Sequence, residues 1–171
     1  MRTKIRRLML MGMLMGGLLG MGLVAPANAA GTTQISGSGT YDTTGSECGT
    51  PPTGFADYPG LTLTGDLNGC LYTHVVTSTD LGAPSGIYIE TGRELVVASL
   101  NGVPGTFETT YRFESMWDPD VSTGAEVKGR CQHPITVGSG TGAFAGATGR
   151  LDFKDEVTTG LYFYRGHITL G

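Results

Sequence analysis

The chain reads as an all-β protein: a single closed antiparallel β-barrel of about eight strands behind a cleaved N-terminal signal helix. Three observations carry that expectation. After residue 30, apolar and polar residues alternate with a period of two, and no segment holds helical periodicity with caps for three turns. Turn signals divide these runs at the short spacing of a sandwich or barrel. A glycine-dense stretch, Ile135 to Phe153, sets Gly138, Gly140, Gly142, Gly146 and Gly149 around Phe144. Glycine at that density marks backbone that bends sharply or passes close to other groups, as at the corner of a curved sheet, and this favours the barrel. Closure also removes the exposed edges that a strand-only protein must otherwise blunt.

The strands follow in order. Leu61 and Leu63 alternate with Thr62 and Thr64, and Val75 and Val76 sit in a Thr-rich run. The longest alternation sets Phe107, Thr109, Tyr111, Phe113, Ser115 and Trp117 on one face, with Glu108, Thr110, Arg112 and Glu114 on the other, so that only one face is buried. Leu151 and Phe153 alternate with Arg150, Asp152 and Lys154, and an aromatic strand, Leu161 to Leu170, follows. Asn68-Gly69 and Asn101-Gly102 are hairpin signals, and Ala83-Pro84-Ser85-Gly86 and Val103-Pro104-Gly105 are further turns. Gly45 to Gly60, with three prolines, and Asp118 to Gly124 read as surface loops.

Residues 1–29 have the layout of a secretory signal peptide. Arg2, Lys4, Arg6 and Arg7 precede an apolar run from Leu8 to Val24, and Ala27-Asn28-Ala29 offers small residues for cleavage before Ala30. The apolar run is short for a membrane span and holds five glycines, and nothing after residue 30 is long and apolar enough to cross a bilayer. The expected organisation is therefore a leader (1–29), an N-terminal strand and Gly/Pro-rich loop (30–60) and the main barrel (61–171), the last two forming one secreted domain. All 15 acidic residues but only seven of the 11 basic ones lie beyond the leader, a net charge of −8. That balance argues against a nucleic-acid partner. A small-molecule ligand and a homo-oligomer are both compatible with the sequence. Export leaves Cys48, Cys70 and Cys131 in an oxidising compartment, with one disulfide and one leftover thiol expected. Three pairings are open; the position of Cys48 in a flexible loop close along the chain to Cys70 favours Cys48–Cys70.

Gly140 to Ala145 formally matches the Gly-x-Gly-x-x-Ala dinucleotide fingerprint. That motif needs a helix straight after it to hold the pyrophosphate, and here Gly146, Gly149 and an alternating strand follow instead. The stretch Gly138 to Gly149, with the aromatic strand Leu161 to Gly166 behind it, resembles the glycine-rich signature of the allene oxide cyclase-like barrels, and plant dirigent proteins are similar there. Gly65-Asp-Leu-Asn-Gly-Cys-Leu-Tyr72 looks like a dirigent stretch, and Gly105 to Phe113 and Gly129 to Ile135 fall where barrel strands belong. The resemblance spans roughly Leu61 to Leu170. It implies a calycin-like eight-stranded antiparallel barrel with an apolar cavity that works on a bound substrate without a cofactor.

No metal-ligand spacing joins His74, His133 and His167, so no metal is expected. Asp118, Asp120, Ser122 and Glu126 superficially resemble a calcium loop, but the loop glycine falls one position late and Gly129 stands where Glu is required, leaving an exposed acidic turn. Candidate pocket residues are Tyr72, Glu94, Tyr111, Arg130, His133 and Tyr164. Arg130 and His133 have opposite strand parity; with Arg130 inward, Glu94 is its expected partner, because an unpaired buried charge is costly. No catalytic residue is assigned. The leading reading is a secreted barrel that binds a small apolar or aromatic molecule. The alternatives are a cofactor-free cyclase or isomerase, implied by the resemblance, and a filled barrel acting through its surface loops.

Overall fold

The computed structural model describes residues 31–171, and the expected signal peptide lies outside the described residues. Among the described residues nine strands form: β1 (Thr32–Tyr41), β2 (Leu61–Gly65), β3 (Leu67–Asp80), β4 (Ile87–Leu100), β5 (Val103–Asp118), β6 (Ala125–Pro134), β7 (Thr141–Gly142), β8 (Thr148–Glu156) and β9 (Leu161–Thr169). Neighbours run in the order β4-β3-β2-β1-β9-β8-β6-β5, and a β4–β5 pairing closes the ring into an eight-stranded antiparallel barrel. The two-residue β7 lies outside the ring on β5, with Gly105 opposite Gly142.

The β4–β5 hairpin turns on Asn101 and Gly102, both with positive φ (53° and 78°), the backbone that a two-residue turn between twisted strands requires. Asn68-Gly69, in contrast, is not a turn. Both residues lie in β3, opposite Ser99 and Ala98, and the chain reverses earlier, at Gly65-Asp66. The pair of residues suits a hairpin locally, but Leu67 and Leu71 must both reach the core, and that sets the start of the strand ahead of Asn68.

The expected inward face of β5 holds at Phe107, Thr109, Tyr111 and Ser115, all buried. One half of the barrel is solid. Leu63, Leu67, Val96, Phe107, Phe144, Leu151, Tyr164 and Ile168 are all essentially without exposure. Phe144 packs edge-on against Phe107, with ring centroids 4.8 Å apart. The glycine cassette thus ends in an aromatic plug, held by a tight turn in which Ala147 N–H donates to the Phe144 carbonyl. Gly142 sits at φ 55°, and a side chain there would run into the Pro104 carbonyl. Tyr164 lies in this solid half: its hydroxyl accepts from Leu67 N–H (2.9 Å) and donates to the Thr64 carbonyl (3.1 Å). It is a structural tie beneath the cavity and does not line it.

Outside the barrel wall, the 42–60 loop is fastened down. Cys48 and Cys70 form a disulfide, and the Tyr72 hydroxyl donates to the Cys48 carbonyl at 2.7 Å. Tyr72 therefore packs under the loop on the outer face of β3, while its neighbours Leu71 and Thr73 turn inward. Cys131 is free and buried.

Candidate functional site: an acidic aromatic cavity

The other half of the barrel is open. A cavity of about 370 Å³ is lined from the loops and from most of the strands. It exists because β4 changes character halfway along. Its inward positions run Glu90, Gly92, Glu94, then Val96, Ala98 and Leu100, so polar side chains face in at one end and apolar ones fill the other. Gly92 faces Tyr111 across the β4–β5 ladder, and a side chain at 92 would strike the Tyr111 ring. The missing side chain lets that ring lie across the barrel.

Glu90 is buried and accepts three phenol hydroxyls, from Tyr58, Tyr88 and Tyr111, each at 2.7 Å. Those hydroxyls replace the water that the carboxylate loses on burial. In return, burial first and then the Glu90 bond raise the Tyr58 and Tyr111 phenols far above the ordinary tyrosine range. Glu94 is bonded to His133 through Nδ1, a contact in which both side chains are nearly inaccessible (6% and 4% exposed). The Thr109 and Thr73 hydroxyls donate to the same carboxylate at 3.3 and 3.4 Å. The His133 ring is stacked on Tyr111 and tilted against Phe153, and its Nε2 has no hydrogen-bond partner among the described residues.

Arg130 is not part of this site. Its side chain is 72% exposed and reaches Glu114 on the outer surface at 3.5 Å. Strand parity explains the correction. β6 runs without a bulge from Gly129 to Gln132 against β5, so Gly129, Cys131 and His133 face in while Arg130 and Gln132 face out. Glu94 does have a buried partner from the expected segment, but the partner is His133.

No family model, curated protein or solved structure matches this chain.

Glu126 departs from the exposed acidic turn in which the sequence placed it. It stands in β6, lines the cavity and meets Asp155 of β8, both carboxylates crowding the space that a side chain at Gly129 would fill. Burial, and then Asp155, push the Glu126 carboxyl up to about 7; burial raises Asp155 as well. The turn itself is built by Asp120, whose Oδ1 accepts from the backbone and hydroxyls of Ser122 and Thr123.

Aromatic rings complete the wall. Tyr41 packs against Tyr162 (5.3 Å) and Tyr58 (6.2 Å), and Tyr88 against Phe113 (6.4 Å). Trp117, the sole tryptophan of the chain, lines the cavity with its indole N–H on Ser115 at 2.9 Å. Burial raises the Cys131 thiol beyond the usual cysteine range, which leaves it inert. Of the six sequence candidates, Glu94, Tyr111 and His133 meet in the cavity, while Tyr72, Tyr164 and Arg130 lie elsewhere. Glu90, Tyr58, Tyr88, Glu126 and Asp155 were missed as pocket residues. The signal available for Glu90 was its even spacing from Glu94; for Tyr58, in an irregular loop, no periodic signal exists.

Proposed function

We propose that this protein is an exported barrel that binds one small aromatic or apolar molecule in its open half. The observation that supports this most is the cavity itself. Its 370 Å³ lies at the scale of small-molecule sites, and it is walled by aromatic rings with a few fixed polar groups. The Cys48–Cys70 disulfide is consistent with an extracellular address.

The reading is tested with the neutral fluorophore N-phenyl-1-naphthylamine. Saturable one-to-one binding with quenching of Trp117 is expected, and Val121→Trp, at a loop residue lining the cavity, should abolish it. Absence of saturable binding, or undiminished binding by the blocked variant, would rule the reading out.

A second reading is favoured by His133. A carboxylate on Nδ1 and an unpartnered Nε2 are the arrangement of a general base, and the resemblance to allene oxide cyclase-like barrels suggests isomerisation or cyclisation without a cofactor. It predicts solvent deuterium exchange into a bound ligand that His133→Gln loses. Binding with no exchange in any ligand would leave the binding reading alone.

A further inference from the structure

Resting on the binding reading, we infer that the ligand is an organic ammonium ion: a protonated amine carrying an aromatic or apolar body. The charge of the lining points there. Glu90, Glu94, Glu126 and Asp155 all face the cavity, and among the described residues that line it there is no lysine or arginine. The basic side chains next in sequence to lining residues lie outside: Arg93 reaches Glu108, Arg112 and Arg130 reach Glu114, and Lys154 is exposed. An anionic ligand would meet four carboxyl groups with no fixed cation to offset them.

Two further observations, independent of the acidic count, point to a donor-bearing cation. The first is His133. It is buried, it lines the cavity, and its Nε2 has no partner among the described residues; in the neutral ring with the proton on Nδ1, toward Glu94, Nε2 is an acceptor. A buried acceptor of this kind is costly when left unpaired, and an ammonium N–H supplies the missing partner. The second is the aromatic box. Tyr41 packs with Tyr162 and Tyr58, and Tyr88 with Phe113, and all five rings line one cavity. Ring faces attract organic cations, and desolvation in a closed site strengthens the attraction. The Glu126–Asp155 pair fits the same ligand. An oxygen of each crowds the space beside Gly129, burial raises both groups and Asp155 raises Glu126 further, and a cation beside them offsets that cost.

The test compares three probes with one skeleton: 2-phenylethylammonium, 2-phenylethanol and 3-phenylpropanoate, titrated at neutral pH by Trp117 fluorescence and calorimetry. The ammonium should bind at least about tenfold tighter than the alcohol, and the carboxylate weakest. Glu126→Gln/Asp155→Asn should reduce the ammonium-to-alcohol ratio at least about threefold; if the double variant does not fold, Glu126→Gln alone is read for the same narrowing. An alcohol or carboxylate that binds as well as the ammonium overturns the inference, as does a ratio unchanged in a folded variant. If N-phenyl-1-naphthylamine binds but the ammonium has no advantage, the charge assignment fails and the binding reading stands. If neither the naphthylamine nor any of the three probes binds, both fail.

Discussion

Glu126 carries the chemistry that stability measurements can read most directly. An ordinary glutamate titrates near 4.5, and here burial and Asp155 raise the group to about 7. Between these values the folded state holds the proton more tightly than the unfolded chain does, so stability falls as pH rises through that window. Asp155, also raised, adds a contribution of the same sign. Because Glu126 is only half-buried, solvent screening reduces the effect to about 1 kcal/mol. Thermal melts from about pH 5 to about pH 8 should show a declining Tm for the wild type and a flatter profile for Glu126→Gln. A Tm that climbs over that range would contradict the assignment.

Among the elements, the glycine cassette behaves as a structural corner. Phe144 fills the solid half against Phe107, and β7 is clipped to β5 by Thr106 and Thr141 hydroxyls 2.8 Å apart. Gly142 combines left-handed backbone with close approach to the Pro104 carbonyl. Gly142→Val should therefore cost about 2–3 kcal/mol. Denaturant unfolding would show this as a lower midpoint, while naphthylamine affinity at low denaturant stays at the wild-type value, since the corner lies away from the cavity. A folded Gly142→Val protein of unchanged stability would mean that the cassette is not a strained corner.

For the whole molecule, the barrel is divided across its axis: one half is filled by aliphatic and aromatic side chains, and the other is hollow and acidic. The disulfide fastens the 42–60 loop, which delivers Tyr58 to Glu90, against the outside of β3. Reduction opens a constraint between residues 22 apart in sequence and should destabilise the protein by about 3 kcal/mol. It should also weaken probe binding by freeing Tyr58. Cys131 lines the cavity but is buried and its thiol is raised by that burial, so it should resist iodoacetamide in the native protein and react only on unfolding. Mass spectrometry of folded and unfolded samples checks this, and rapid labelling of the native thiol would show that it is not sealed off.

Much of the barrel was legible in the amino-acid order because strand periodicity is local. Phe107, Thr109 and Tyr111 share a face whatever they pair with, and the Asn101-Gly102 turn needs only its own backbone. The cavity was not legible in the same way. Whether Arg130 or His133 faces inward depends on the register of β6 against β5, and one residue of slip exchanges them. Tyr58 reaches Glu90 from an irregular loop, and Glu126 meets Asp155 only because β6 lies beside β8 in the closed sheet. Local order decides which residues alternate. Long-range pairing decides which ends of those strands share an interior, and here it brought four carboxyl groups into one aromatic chamber.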